Sequence, residues 1–191
     1  RELLLSACFE RPGNSTITGT EILDFAPSSA PSSNILHNAA LFLANGHLLI
    51  NGSLSANNTQ SFSSLIINTG ASSIDVLPGT LHSATITLAS VPIRTQNINN
   101  STVGGTLRFG TTGTITIPSL INKFLLQDGG NNAYATFGLY DWAATDSNGN
   151  LTAATYVTSN PSNTTNLDVA ANITYTAERA ASLRFNNSNA P

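Results

Sequence analysis

Apolar runs only a few residues long recur through this chain, and Gly, Asn, Ser or Thr cuts off each one before it reaches helical length. Residues 40–44, 47–50, 64–68, 84–88, 105–109 and 114–117 are of this kind. No window shows apolar positions returning at a helical period, so the runs read as brief strands at roughly regular spacing. The pattern predicts an all-β chain whose sheet coils on itself.

Composition narrows the possibilities further. At 191 residues the chain can bury one substantial core, and its length requires no second domain. Charged residues make up only 9%, while Asn, Ser and Thr supply 69 of the 191 positions, so amides and hydroxyls must carry solubility. Strand-length apolar runs and 40% hydrophobic residues argue against disorder. With a net charge of −3, one lysine at Lys123 and scattered arginines, there is no basic stripe to neutralise phosphates, which excludes nucleic acid as a partner. Cys8 has no second cysteine to pair with, so stacking rather than an intrachain disulfide must stabilise the fold. The sequence starts at Arg1 and contains no methionine, which reads as a processed secreted product or a segment of something larger. No apolar run approaches the roughly 18 residues of a membrane helix, so membrane insertion is not expected.

Texture changes along the chain. Residues 1–35 read as an N-terminal cap or docking segment containing a Pro/Ser loop at 26–34. Strands then follow one another to about residue 117, with turns at Asn45-Gly46, Asn51-Gly52 and Thr69-Gly70. Residues 118–158 concentrate aromatics, including Phe124, Tyr134, Phe137, Tyr140, Trp142 and Tyr156, and read as an insertion within the coil. After Pro161 short runs return, at 167–171, 173–175 and 182–185. Thr106-Leu-Arg-Phe109 and Ser182-Leu-Arg-Phe185 are an internal echo that suggests repetition, and strand alternation turns Arg108 and Arg184 outward.

The order of several segments resembles bacterial autotransporter passengers and related surface proteins with the autotransporter-associated β-strand repeat. The segments are Gly46-His-Leu-Leu-Ile-Asn-Gly52, Gln60-Ser-Phe-Ser-Ser-Leu-Ile-Ile-Asn-Thr-Gly-Ala71, Ala84-Thr-Ile-Thr-Leu88, Arg94 and Gly104-Gly-Thr-Leu-Arg-Phe109. Tyr134-Ala-Thr-Phe-Gly-Leu-Tyr-Asp-Trp-Ala143 looks like the aromatic segment of such modules, and Ser182-Leu-Arg-Phe185 like the start of a further unit. The resemblance covers roughly residues 40–185, leaving out 1–35 and any C-terminal membrane barrel. It implies a right-handed parallel β-helix on the cell exterior, acting as a stalk or adhesive surface. Without the resemblance, stacked short strands also fit that solenoid, and an antiparallel β-sandwich is the alternative architecture.

Chemistry-bearing residues are few. Asp128, Asp141 and Asp146, with Tyr140 and Trp142 nearby, are candidates for a groove that binds or cleaves sugar, since glycoside hydrolysis needs two carboxylates across the bond. The competing reading makes these aspartates turn residues that bond their own backbone. Asp146-Ser-Asn-Gly-Asn150 fails the calcium-loop pattern, with Leu151 where glycine is required and Val157 where a glutamate is required; a hairpin turn at Asn148-Gly149 fits better. His37, His47 and His82 lack metal-ligand spacing, there is no nucleophile elbow, and Cys8 lies in an apolar run that disfavours its thiolate. No cofactor and no metal site is expected.

These readings converge on a non-enzymatic structural or adhesive β-helical protein outside the cell, on a bacterial surface. Its expected partners are itself, end to end in a filament, or neighbouring coils of a longer chain, and surface glycans. The candidate assembly ends are Leu3, Leu4 and Leu5 in the first run and Leu183 and Phe185 in the last. A carbohydrate-binding or polysaccharide-cleaving module is the alternative function.

Overall fold

A computed structural model describes residues 2–5, 13–94, 104–121, 125–127, 133–159, 162, 165–169 and 180–185. The described residues are all-β and contain no helix, and stacked parallel strands form a β-solenoid of about four turns.

The second, third and fourth turns each visit three sheets. A short strand β1 (Glu2–Leu5) precedes β2 (Ser15–Ile17) and β3 (Thr20–Asp24) of the first turn. The second turn is β4 (Ala40–Leu43), β5 (His47–Asn51) and β6 (Asn58–Phe62), and the third is β7 (Ser64–Ile67), β8 (Ala71–Leu77) and β9 (Ala84–Leu88). The fourth is β10 (Ile93–Arg94), β11 (Thr106–Phe109) and β12 (Thr114–Thr116). Face one carries β1-β3-β5-β8-β11, continued by β13 (Ala135–Phe137); face two carries β2-β4-β7-β10; face three carries β6-β9-β12. All these pairings are parallel. That arrangement rules out the antiparallel sandwich.

Alternation decides which side chains enter the narrow interior. On face one the register stacks Glu21, Leu48, Ile74 and Phe109 in one inward column and Leu23, Ile50 and Val76 in the next. Face two contributes Ser15-Leu41-Leu65 and Ile17-Leu43-Ile67, and face three Gln60-Ile86-Ile115 and Phe62-Leu88. Outward on face three, Thr59-Thr85-Thr114 and Ser61-Thr87-Thr116 form polar columns, which explains how so few charges suffice. Corresponding positions of the first three turns lie 24 residues apart where Ala40 meets Ser64 and 27 apart where Thr20 meets His47.

Amides supplement a single backbone bridge, Ser33 to Thr59, where a strand is missing. Face three has no strand in the first turn, and the buried Gln60 instead accepts from the Leu36 N–H at 3.1 Å and donates to the Leu36 carbonyl at 2.8 Å. Asn34, with φ of 50°, similarly accepts from the Ser61 N–H at 2.8 Å. Turns are tight against the turn before: a Cβ on Gly46 would sit 2.4 Å from the Ile17 carbonyl oxygen, so glycine is required there by space.

The aromatic-rich stretch changes the pairing rule. After β13 the chain reverses into β14 (Asp141–Thr145) and β15 (Leu151–Ala153), both antiparallel, which extend face one. Asn148-Gly149 lies in the β14–β15 hairpin, as its sequence predicts, with Gly149 at φ of 79°. A separate parallel sheet follows, of β16 (Tyr156–Val157), β17 (Asn166–Val169) and β18 (Ser182–Phe185). Residues 13–24 of the N-terminal segment already belong to the stacked turns.

Candidate functional site

The outward surface of face one gathers the polar chemistry. His47 on β5 and Arg108 on β11 flank β8, and both share a register partner in Ser73. Asp75, two residues along β8 and so on the same side, lies between them. Its carboxylate accepts two bonds from the Arg108 guanidinium, at 3.0 and 2.6 Å, and contacts His47 Nε2 at 2.9 Å. A two-pronged guanidinium–carboxylate contact fixes both side chains in direction as well as distance.

Two turns close over this pair at the C-terminal ends of β8, β11 and β13. The β11–β12 turn is anchored where Thr112 Oγ1 donates to the Val76 carbonyl at 2.6 Å. The β13–β14 turn, Gly138, Leu139 and Tyr140, is held where the Gly138 N–H donates to the Phe109 carbonyl at 2.8 Å. Between them lies an open cleft of about 500 Å³ whose lining includes Asp75, Arg108, Thr111, Tyr140 and Asp141. Tyr140 is 80% exposed, an unusual fraction for a ring of that size.

Arg184 organises the neighbouring sheet. It forms ion pairs with Asp168, its register partner on β17, at 2.6 Å, and with Asp141 on β14. Its guanidinium also covers the Tyr156 ring at 3.9 Å from the centroid. The hydrogen bond to Asp168 raises the Arg184 pKa further above its usual value, so the charge is permanent. Tyr156 accepts from the Trp142 N–H at 2.8 Å, yet burial outweighs that bond and pushes its pKa above the ordinary 10.0. The sequence echo is partly a structural one: Arg108 and Arg184 each grip an aspartate on the preceding strand of their sheet, but Arg184 reaches a buried Asp168, and Leu183 beside it is the more exposed side chain.

The sequence-derived candidates separate in space. Tyr140 and Asp141 line the cleft, while Trp142 lines a second depression on the other side of Arg108 and donates its indole N–H to the Leu183 carbonyl at 3.3 Å. Asp146 sits in the β14–β15 turn, where it accepts from the backbone N–H groups of Asn148 at 2.8 Å and Asn150 at 2.9 Å. Asp128 lies outside the described residues. Of the assembly candidates, Leu3, Leu4 and Leu5 belong to β1, Leu183 and Phe185 to β18, and Leu183 is 50% exposed. Asp75 was missed by sequence reasoning, although the alternation across residues 72–76 marks a strand with Ser73 and Asp75 on one side. Among the described residues no group of three or more His, Cys, Asp or Glu side chains is arranged to hold a metal ion. Comparison with known proteins leaves this geometry to be interpreted by itself: no family model, curated protein or solved structure matches the chain.

Proposed function

We propose that this chain is a non-enzymatic structural and adhesive element of a bacterial cell surface, and that its solenoid stacks end to end with other copies into a filament. The observation that carries the reading is a pair of open strand edges, one on β1 and one on β18. Among the described residues, no strand pairs with the outer edge of β1 or of β18. Such an edge presents a row of backbone donors and acceptors and templates another parallel strand. The half-exposed Leu183 adds apolar surface to the β18 end. The two ends differ, so the contact is heterologous and propagates instead of closing on itself. A surface of threonine, serine and asparagine columns suits an exterior stalk, and the resemblance to autotransporter passengers points the same way. The carboxylates of Asp75, Asp141 and Asp168 are engaged in ion pairs and that of Asp146 in a turn, which favours a structural role for them.

Sedimentation velocity across a concentration series tests this reading. Wild-type protein is expected to shift to larger species as concentration rises, and Leu183→Lys, which places a charge at the β18 end, to remain a monomer. A wild-type chain that stays monomeric at every concentration overturns end-to-end stacking.

A further inference from the structure

We propose that the cleft beside Arg108 binds an uncharged hexopyranose as part of a neutral glycan. This inference gives chemistry to the adhesive part of the role above, and does not depend on the strand edges. The cleft's volume of about 500 Å³ lies within the roughly 300–1,000 Å³ of typical ligand pockets.

Three features specify the ligand class. The first is hydrogen-bonding capacity. A guanidinium has five N–H donors and a carboxylate about four acceptor sites, and the Arg108–Asp75 pair uses two of the donors. With His47 also on Asp75, the pair still offers donors and an acceptor to the cleft. Vicinal sugar hydroxyls, each able to donate and accept, match that combination. The Thr111 hydroxyl, which makes no hydrogen bond within the described structure, adds a further donor and acceptor.

The second feature is the ring. Tyr140 stands 80% exposed at the cleft, with its phenol uncommitted to any described residue. An aromatic face beside polar groups suits a pyranose, which has an apolar C–H face and a hydroxylated rim. The third feature is charge balance. Each acid lining the cleft is engaged by a cation, Asp75 by Arg108 and Asp141 by Arg184, which also holds Asp168. Both guanidinium groups are held by carboxylates, so a uronate finds no free cation, and both lining carboxylates are already bonded, so an ammonium would have to displace a guanidinium; the site favours neutral sugars.

The site is also built before ligand arrives. A Cβ on Gly110 would meet Asp75 Oδ1 at 2.5 Å and one on Gly138 would meet Thr111 Cγ2 at 3.1 Å, so the two turns and the ion pair are in close contact. Gly138, at φ of 66°, permits the hairpin that presents Tyr140. Such preorganisation reduces the ordering cost of binding.

The test is an NMR titration of the full chain with methyl glucoside, methyl galactoside and methyl mannoside, using glucuronate and glucosamine as charged comparisons. Saturable amide shifts confined to residues 108–112 and 138–141 are expected with at least one neutral glycoside, and weaker shifts with both charged sugars. Tyr140→Ala is expected to weaken binding roughly three- to tenfold, the loss of one ring contact, with unchanged thermal unfolding. Thr111→Ala is a second surface variant expected to weaken it while leaving the ion pair intact. No saturable shift with any neutral glycoside, tighter binding of a charged sugar, or wild-type affinity in Tyr140→Ala each overturns the inference. Sedimentation of the same samples reports stacking separately, so failure of either reading is visible without the other.

Discussion

The two copies of the Leu-Arg-Phe motif give an internal control for what a solenoid turn contributes. Leu107 on β11 is 2% exposed and registered between Ser72 on β8 and Ala135 on β13. Leu183 occupies the same place in its motif but on the outer strand of its sheet, 50% exposed. Leucine to alanine removes three carbons, about 2.4 kcal/mol at about 0.8 kcal/mol per buried group. At Leu107 small neighbours cannot fill the space, and the cavity raises the expected cost of Leu107→Ala to about 3–4 kcal/mol. At Leu183 half the side chain is already in water and no closed cavity forms, so Leu183→Ala should cost about 1.2 kcal/mol or less. Urea unfolding followed by circular dichroism, at concentrations where the protein is monomeric, measures both. Equal losses, or a cost below about 1 kcal/mol at Leu107, would refute the stacked-column reasoning.

Other perturbations probe separate parts of the molecule. Gln60→Leu leaves the Leu36 N–H and carbonyl without their amide partner and should destabilise by about 2–4 kcal/mol despite added apolar surface, measured by the same urea unfolding. Arg184→Met strands the buried Asp168 carboxylate; because the guanidinium is partly exposed, about 2–3 kcal/mol is expected, read by hydrogen exchange as lost protection in β16–β18 with β4–β9 unchanged. Tyr156 has a raised pKa, so the unfolded chain releases its phenolic proton first as pH climbs past about 10. Stability contributed by the neutral phenol is complete below that pH and lost as pH rises through the folded pKa; Tyr156→Phe should flatten that part of a stability-versus-pH curve.

Much of the coil was legible because burial imposes period-two alternation on every stacked strand. Residues 84–88 are a strand with the predicted bounds, and 40–44, 47–50 and 64–68 differ from β4, β5 and β7 by a single residue at one end. β6 was not legible, since Asn58-Thr-Gln-Ser-Phe62 carries its inward column on Asn58, Gln60 and Phe62. An amide bonded to a neighbouring turn can stand where an apolar residue is expected, and nothing local in the sequence reveals that partner. The β13–β14–β15 segment reads as an insertion because its aromatics break the texture, yet β13 continues the parallel sheet. The cleft was partly visible: Tyr140 and Asp141 stand at it. Arg108 and Asp75 meet there only because β8 and β11 are neighbours, a contact between residues 33 positions apart that local pattern does not encode.

Fibre diffraction from aligned, concentrated native protein tests end-to-end stacking most directly. If coils continue from one copy to the next, strands run across the filament and a reflection near about 4.8 Å should lie along its axis. Leu183→Lys should then give neither filaments nor an oriented pattern. Discrete particles from the wild-type chain at every concentration, or filaments whose strand spacing lies across the axis, would contradict end-to-end stacking.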